Sequence, residues 1–311
     1  MTDPYRALDP AQIPLAEQFG GLSITADTLP TVRAMMAQQS VLVDPLPPGV
    51  LRTTLDYTAR DGAALRAILY QPEDARGPTP LIVNIHGGGL VMGSPESNDA
   101  RHIALSAQTS VAVLALSYRL APEHPYPTPL DDCEDGFRFA LDNLGEWNCD
   151  PARIALSGDS AGGGMAAGLS QRLRDAGDET LTLLLLNYPM LDARTGSEVK
   201  VAPIFGQHVW TRESNRFGWD SYLAEQPKTA PASPAACEDL SGLPPTWIGC
   251  GALDLFLPEN LDYAQRLIAA GVDTTLAVYP GTIHAFQALP EIEMTRRFHR
   301  DYREAIGRSL L

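Results

Sequence analysis

Ser160 lies in the run Gly158-Asp159-Ser160-Ala161-Gly162, a serine between glycines at positions −2 and +2. A serine hydroxyl is a weak nucleophile, so such a residue does chemistry only if a neighbouring base takes its proton. The pattern alone is thin support, because the chain's own Gly and Ser frequencies supply it by chance in roughly one such chain in nine. Its surroundings add more. An apolar run at residues 154–157 precedes it and a Gly/Ala-rich helical pattern at 161–175 follows. Strand, sharp turn and helix in that order leave no room for Cβ atoms at Gly158 and Gly162 and project Ser160 beyond the sheet, near a helix N-terminus.

Upstream, His86-Gly87-Gly88-Gly89 directly follows an apolar run at 81–85. Chance would give this tetrapeptide in roughly one chain in three hundred. Consecutive glycines let backbone N–H groups converge on one point, which is what an oxyanion formed by attack on an acyl carbonyl requires. The base should be a histidine held by a carboxylate, and strand ends are where open parallel sheets place their sites. His284 follows the run 275–279 and Asp254 follows 246–250, in the order serine, acid, histidine. The competitors are His124 in a loop, His86 at the head of the glycines, His102 and His299 in predicted helices, and His208 in the irregular stretch after residue 192. Glu259 and Asp262, inside the helix after Asp254, compete for the acid.

Around these residues the pattern predicts eight strands, at 51–58, 63–70, 81–85, 111–117, 154–157, 183–188, 246–250 and 275–279. From the third onward helix-length segments separate them, at 98–108, 130–144, 161–175, 259–270 and 291–308. That alternation predicts an α/β fold with a mostly parallel sheet, and the first two strands fit an antiparallel entry. The proline-rich stretch Pro45-Leu46-Pro47-Pro48 sets off a leading arm, with helical spacing at 11–19 and 28–39, that serves either as ordinary packing or as part of a lid. The rhythm fails again between 192 and 242, where Trp210, Phe217, Trp219 and Tyr222 stand among polar residues.

With 38 acidic and 23 basic residues the formal charge is −15, which disfavours nucleic acid and anionic membranes as partners and favours a neutral substrate. No apolar run is long enough to span a bilayer, and the N-terminus lacks a basic leader with an apolar core, so a cytoplasmic protein is expected. Cys133, Cys149, Cys237 and Cys250 have neither zinc-site nor disulfide-framework spacing. No metal or organic cofactor is implied.

Taken together, His86-Gly87-Gly88-Gly89, Tyr118-Arg119-Leu120-Ala121-Pro122-Glu123, Gly158-Asp159-Ser160-Ala161-Gly162-Gly163 and Gly281-x-x-His284-Ala285-Phe286 resemble the bacterial hormone-sensitive-lipase-like esterases, over roughly residues 50–311. The resemblance implies an α/β-hydrolase fold with an eight-stranded sheet. It further implies a catalytic domain at 49–311 and a helical cap built from residues 1–48 and an insertion at about 192–230. The oxyanion N–H groups would be those of Gly88, Gly89 and Ala161, and a homodimer is expected. The implied activity is hydrolysis of small carboxylic esters, with amidase, lactonase or deacetylase chemistry, or a silent ligand-binding protein, as alternatives. Leu90, Asp159, Trp210, Phe217 and Trp219 become candidate substrate contacts. Two positions depart from the family: Leu90 stands where an aromatic is common, and Leu255-Phe256 replaces Pro-Leu after the acid.

Overall fold

The computed structural model describes residues 5–19 and 23–311, so the part of the expected boundary 1–48 that falls on 1–4 and 20–22 lies outside the described residues. Eight strands form one sheet in the order β1 (Val50–Thr58), β2 (Ala64–Pro72), β4 (Ala112–Leu116), β3 (Thr79–Ile85), β5 (Cys149–Asp159), β6 (Leu181–Asn187), β7 (Thr246–Gly251), β8 (Thr274–Tyr279). β2 is antiparallel to both neighbours and all later pairings are parallel, so β2 alone runs against the rest. The expected antiparallel entry is therefore one reversed strand.

That order explains where a site can form. From β3 the chain steps outward to β4, then returns across β3 to lay down β5 on the other side. The connections leaving β3 and β5 thus diverge, and a crevice opens between the carboxyl ends of these two strands. Ile85 pairs with Gly158, so the His86–Gly89 run and the Ser160 turn emerge side by side.

Every residue of β3 is buried, as a strand covered on both faces must be. Leu81, Val83 and Ile85 face one core, with α4 (Thr128–Asp142), α5 (Ala161–Asp175) and α7 (Leu257–Ala269) over it. Ile82 faces the other, beneath α3 (Asp99–Thr109) and α8 (Glu293–Ser309). The arm folds as α1 (Ile13–Gln18) and α2 (Leu29–Gln39), and the insertion carries α6 (Arg212–Leu223). Ile24 N–H donates to Ser214 Oγ at 2.9 Å, joining arm to insertion above the crevice.

Candidate active site

Ser160 occupies a backbone conformation that few side chains adopt, φ 54° and ψ −116°. Such strain persists only where the surroundings enforce it. Here the Ser160 N–H donates to the Asn187 carbonyl at 2.9 Å, and its own carbonyl accepts from Gly164 at 3.0 Å and Met190 at 2.9 Å. A Cβ on Gly162 would lie 2.1 Å from the Ile85 carbonyl oxygen and 2.4 Å from that of His86. The glycine therefore lets α5 touch the backbone leaving β3, which fixes the serine against the upstream glycine turn.

Ser160 Oγ lies 2.9 Å from His284 Nε2, and His284 Nδ1 lies 2.7 Å from Asp254 Oδ2. An ionised carboxylate can only accept, so Nδ1 carries the proton and leaves Nε2 free to accept from the serine. Asp254 is also held by the Phe256 N–H, 3.0 Å from Oδ1. The two loops that bring Asp254 and His284 together are bonded to each other, Ala252 N–H to Tyr279 O and Leu253 N–H to Thr282 O, both at 2.9 Å. Tyr188 and Phe256 meet the imidazole edge-on, at 4.9 and 5.3 Å between ring centres. Ser160, His284 and Asp254 are all buried.

The glycine turn is shaped by positive φ at Gly88 (124°) and Gly89 (60°), with Leu90 at 71°. Among the described residues, the N–H groups of Gly88, Gly89 and Ala161 have no acceptor within the chain. His86 supports this turn. Burial pushes its imidazole down to about 4, so it is neutral. It donates from Nδ1 to the Gly87 carbonyl at 2.8 Å and stacks on Tyr118 at 4.1 Å.

None of the competing residues is hydrogen-bonded to Ser160, Asp254 or His284. His124 is exposed on the 119–124 loop, His208 stacks on Tyr5, and His102 and His299 are driven by burial to about 3 and about 4. Asp262 is exposed and pairs with Arg266. Glu259 is buried and accepts from Leu191 N–H at 2.6 Å and from Thr195 Oγ1, fastening the start of the insertion to α7.

A cavity of about 290 Å³ opens over Ser160 and His284. Glycines 87–89 form its floor; Leu15, Phe19, Ile24, Val32 and Met36 of the arm and Val209 and Trp210 of the insertion line its walls. The arm is thus part of the cavity wall rather than remote packing. Of the five candidate substrate contacts, Trp210 belongs to this wall, the tip of its ring filling the space a Cβ on Gly89 would need and its Nε1 donating to Asn215 at 3.1 Å. Phe217, Trp219 and Leu90 do not reach the cavity. On α6 the buried positions 214, 215, 218, 219 and 222 form a helical stripe facing the protein, which takes Trp219 into the core and leaves Phe217 on its margin. The positive φ of Leu90 turns its side chain into the same core.

Asp159 borders the cavity, but its carboxylate is already occupied. It accepts from Arg101 at 2.7 and 2.5 Å, Asn187 at 2.8 Å, Asn98 at 3.0 Å and Tyr188 at 3.3 Å. Burial would raise this carboxyl, but the Arg101 charge and the bonds from Arg101 and Asn187 outweigh it and hold it below the ordinary carboxylate value. These partners come from the start of α3 and the residue before it, and from the end of β6 and the residue after it, and no motif announces them. Among the described residues, no cluster of three or more His, Cys, Asp or Glu is arranged to hold a metal ion.

A family model described as alpha/beta hydrolase fold matches residues 82–288. The carboxylesterase NlhH of Mycobacterium tuberculosis is 33% identical over 296 residues, 92% of each chain. The ethyl acetate hydrolase of Pseudomonas putida is 31% identical over 252 residues, 76% of each chain. Among solved structures, a bacterial heroin esterase superposes with a TM-score of 0.90 at 31% identity, covering 99% of this chain and all of its own. The match through the crevice-forming strands and the near full-length relatives make this chain a member of the α/β-hydrolase family, in its hormone-sensitive-lipase-like esterase branch.

Proposed function

We propose that the protein hydrolyses small neutral carboxylic esters through an acyl-enzyme on Ser160. It is a serine hydrolase of carboxylic esters, as its family and its relatives' activities indicate. The observation that carries the residue assignment is the unbroken hydrogen-bond chain Ser160–His284–Asp254 at 2.9 and 2.7 Å. In the first half-reaction Oγ attacks the carbonyl carbon while Nε2 takes its proton. The oxyanion is met by the N–H groups of Gly88, Gly89 and Ala161, and Asp254 stabilises the imidazolium. Collapse expels the alcohol, which leaves with the proton from Nε2. Water then adds to the acyl-serine with His284 again as base, and the acid departs.

The cavity of about 290 Å³ sits at the small end of ligand pockets, which run from about 300 to 1,000 Å³, and so supports short acyl chains. The same machinery could open amides or lactones, whereas a silent ligand-binding role is not favoured. A p-nitrophenyl ester series from acetate to laurate tests the reading: kcat/KM should peak at two to six acyl carbons. A maximum at ten or more would refute the short-acyl assignment.

Residues 1–48 and 192–230 are read as one cap, supported by the Ile24–Ser214 bond and by their joint walling of the cavity. A cytoplasmic location fits the four unpaired cysteines, three of them buried. No helix among the described residues is long and apolar enough to cross a membrane. A homodimer fits the open edge of the sheet at β8 and the exposed Leu261 and Ile268 on the adjoining α7, and sedimentation at micromolar concentration tests it.

A further inference from the structure

The loop carrying His284 leaves β8 at Tyr279 and is gripped from two sides. On one side it is bonded to the Asp254 loop, as described above. On the other it meets the arm, through a side chain that no motif contains. Gln12 is wholly buried. Its Nε2 donates to the Gly281 carbonyl at 3.2 Å, and its Oε1 accepts from the Ile283 N–H at 3.1 Å. The Asp9 N–H adds a third bond to the Gly281 carbonyl at 2.9 Å. Leu8, Leu15 and Ala16 pack around Ile283 and exclude water from this contact.

We propose that Gln12 is a positioning residue for the general base: its side-chain amide acts as a one-residue strand edge that fixes the backbone immediately before His284. The inference rests on the reading of His284 as base. An amide end presents one donor and one acceptor side by side, which matches the Gly281 carbonyl and the Ile283 N–H. Asparagine is one methylene too short to reach both from the same backbone position, and aliphatic residues offer neither group. Without Gln12 the buried Ile283 N–H loses its partner, and the loop must move to find another. His284 is the next residue, and its Nε2 must stay 2.9 Å from Ser160 Oγ. A displacement near 1 Å costs about a hundredfold in rate. The arm therefore does more than wall the cavity, because it sets the base.

The test compares wild type with Gln12→Ala and Gln12→Met, the latter keeping the volume while removing both bonds. With p-nitrophenyl acetate, kcat should fall about ten- to hundredfold while KM stays within about twofold. The rate of Ser160 phosphonylation by a fluorophosphonate should fall in parallel. The downfield proton resonance of the His284 Nδ1–H bonded to Asp254 should shift or broaden. A residue with a merely structural role would lower the melting temperature and leave those readouts unmoved, and that result overturns the proposal. Amide hydrogen exchange on wild type needs no variant: the Ile283 N–H should be strongly protected, and exchange at the rate of an exposed loop also overturns it. If instead Ser160→Ala kept full activity, the catalytic assignment itself would fall; normal Gln12 variants in an enzyme that Ser160→Ala silences would remove only this inference.

Discussion

Replacing Arg101 by methionine should destabilise the fold far more than loss of a surface charge would, and by an amount that depends on pH in a stated direction. Arg101 and Asp159 are a buried pair, their side chains 18% and 6% exposed, so screening by solvent is small. Removing one member of such a pair leaves an uncompensated buried charge, at a cost of about 3–5 kcal/mol. Three neutral donors, from Asn98, Asn187 and Tyr188, still reach the Asp159 carboxylate, which places the expected loss near the lower figure, about 3 kcal/mol at pH 7. In wild type the Asp159 carboxyl is held below its ordinary value, so its contribution is present above the unfolded carboxylate range, near pH 4, and is lost as pH falls through the folded value. In the variant the Arg101 charge is gone and burial is opposed mainly by the neutral donors that remain, so the carboxyl takes a proton at higher pH than in wild type and escapes the penalty. The gap between the two proteins should therefore be widest at neutral pH and narrow on acidification towards pH 4. Urea unfolding followed by tryptophan fluorescence at pH 7, 5.5 and 4.5 measures it. The double variant Arg101→Met with Asp159→Asn, which removes both charges, should recover most of the loss. A gap that stays constant with pH, or a double variant as unstable as the single one, would refute the reasoning.

Three further outcomes follow from the geometry. Asp254→Asn should fold normally yet reduce kcat by about 10³–10⁴-fold, because the imidazole loses the acceptor that fixes its tautomer; comparison of unfolding curves and kcat checks both halves. Gly162→Ala places a methyl group against two carbonyl oxygens of fixed backbone and should cost about 3 kcal/mol or more, read by thermal melting, with a normal melting curve as the contrary result. Arg33 on α2 donates to the carbonyls of Val91 at 2.7 Å and Ala121 at 2.9 Å and pairs with the exposed Glu123. The exposed pair contributes about 1 kcal/mol or less and each charged bond to a carbonyl about 1.5–3 kcal/mol, so Arg33→Ala should lower stability by a few kcal/mol and raise KM several-fold by loosening the arm over the glycine turn; unchanged KM across an ester series would oppose it.

Much of the site was legible because its chemistry forces residue types that stand out in a sequence. A turn that brings α5 against the β3 backbone admits only glycine at 162, and an N–H cradle with φ of 124° at Gly88 likewise selects glycine. Asp254 and His284 stand out because parallel strands announce their carboxyl ends through apolar runs, and the structure places both side chains in one hydrogen-bonded chain with Ser160. What stayed hidden was whatever depends on which way a side chain faces or on pairing across long separations. The tryptophans of the insertion look alike in sequence, yet Trp210 precedes α6 and walls the cavity, whereas Trp219 falls on the helix stripe that turns inward. Asp159 is a candidate substrate contact in the sequence, but Arg101, 58 residues earlier, already holds its carboxylate. Gln12 and Ile283 are 271 residues apart, and nothing in the composition of either segment marks the pair.

The central claim is that the reaction passes through Ser160, and its most direct test is the hydrolysis of p-nitrophenyl acetate by purified Ser160→Ala beside wild type, after circular dichroism has shown both to be folded. Loss of the nucleophile should lower kcat/KM by at least about 10⁴-fold, leaving only what oriented binding and the N–H cradle contribute. Activity within tenfold of wild type would contradict it.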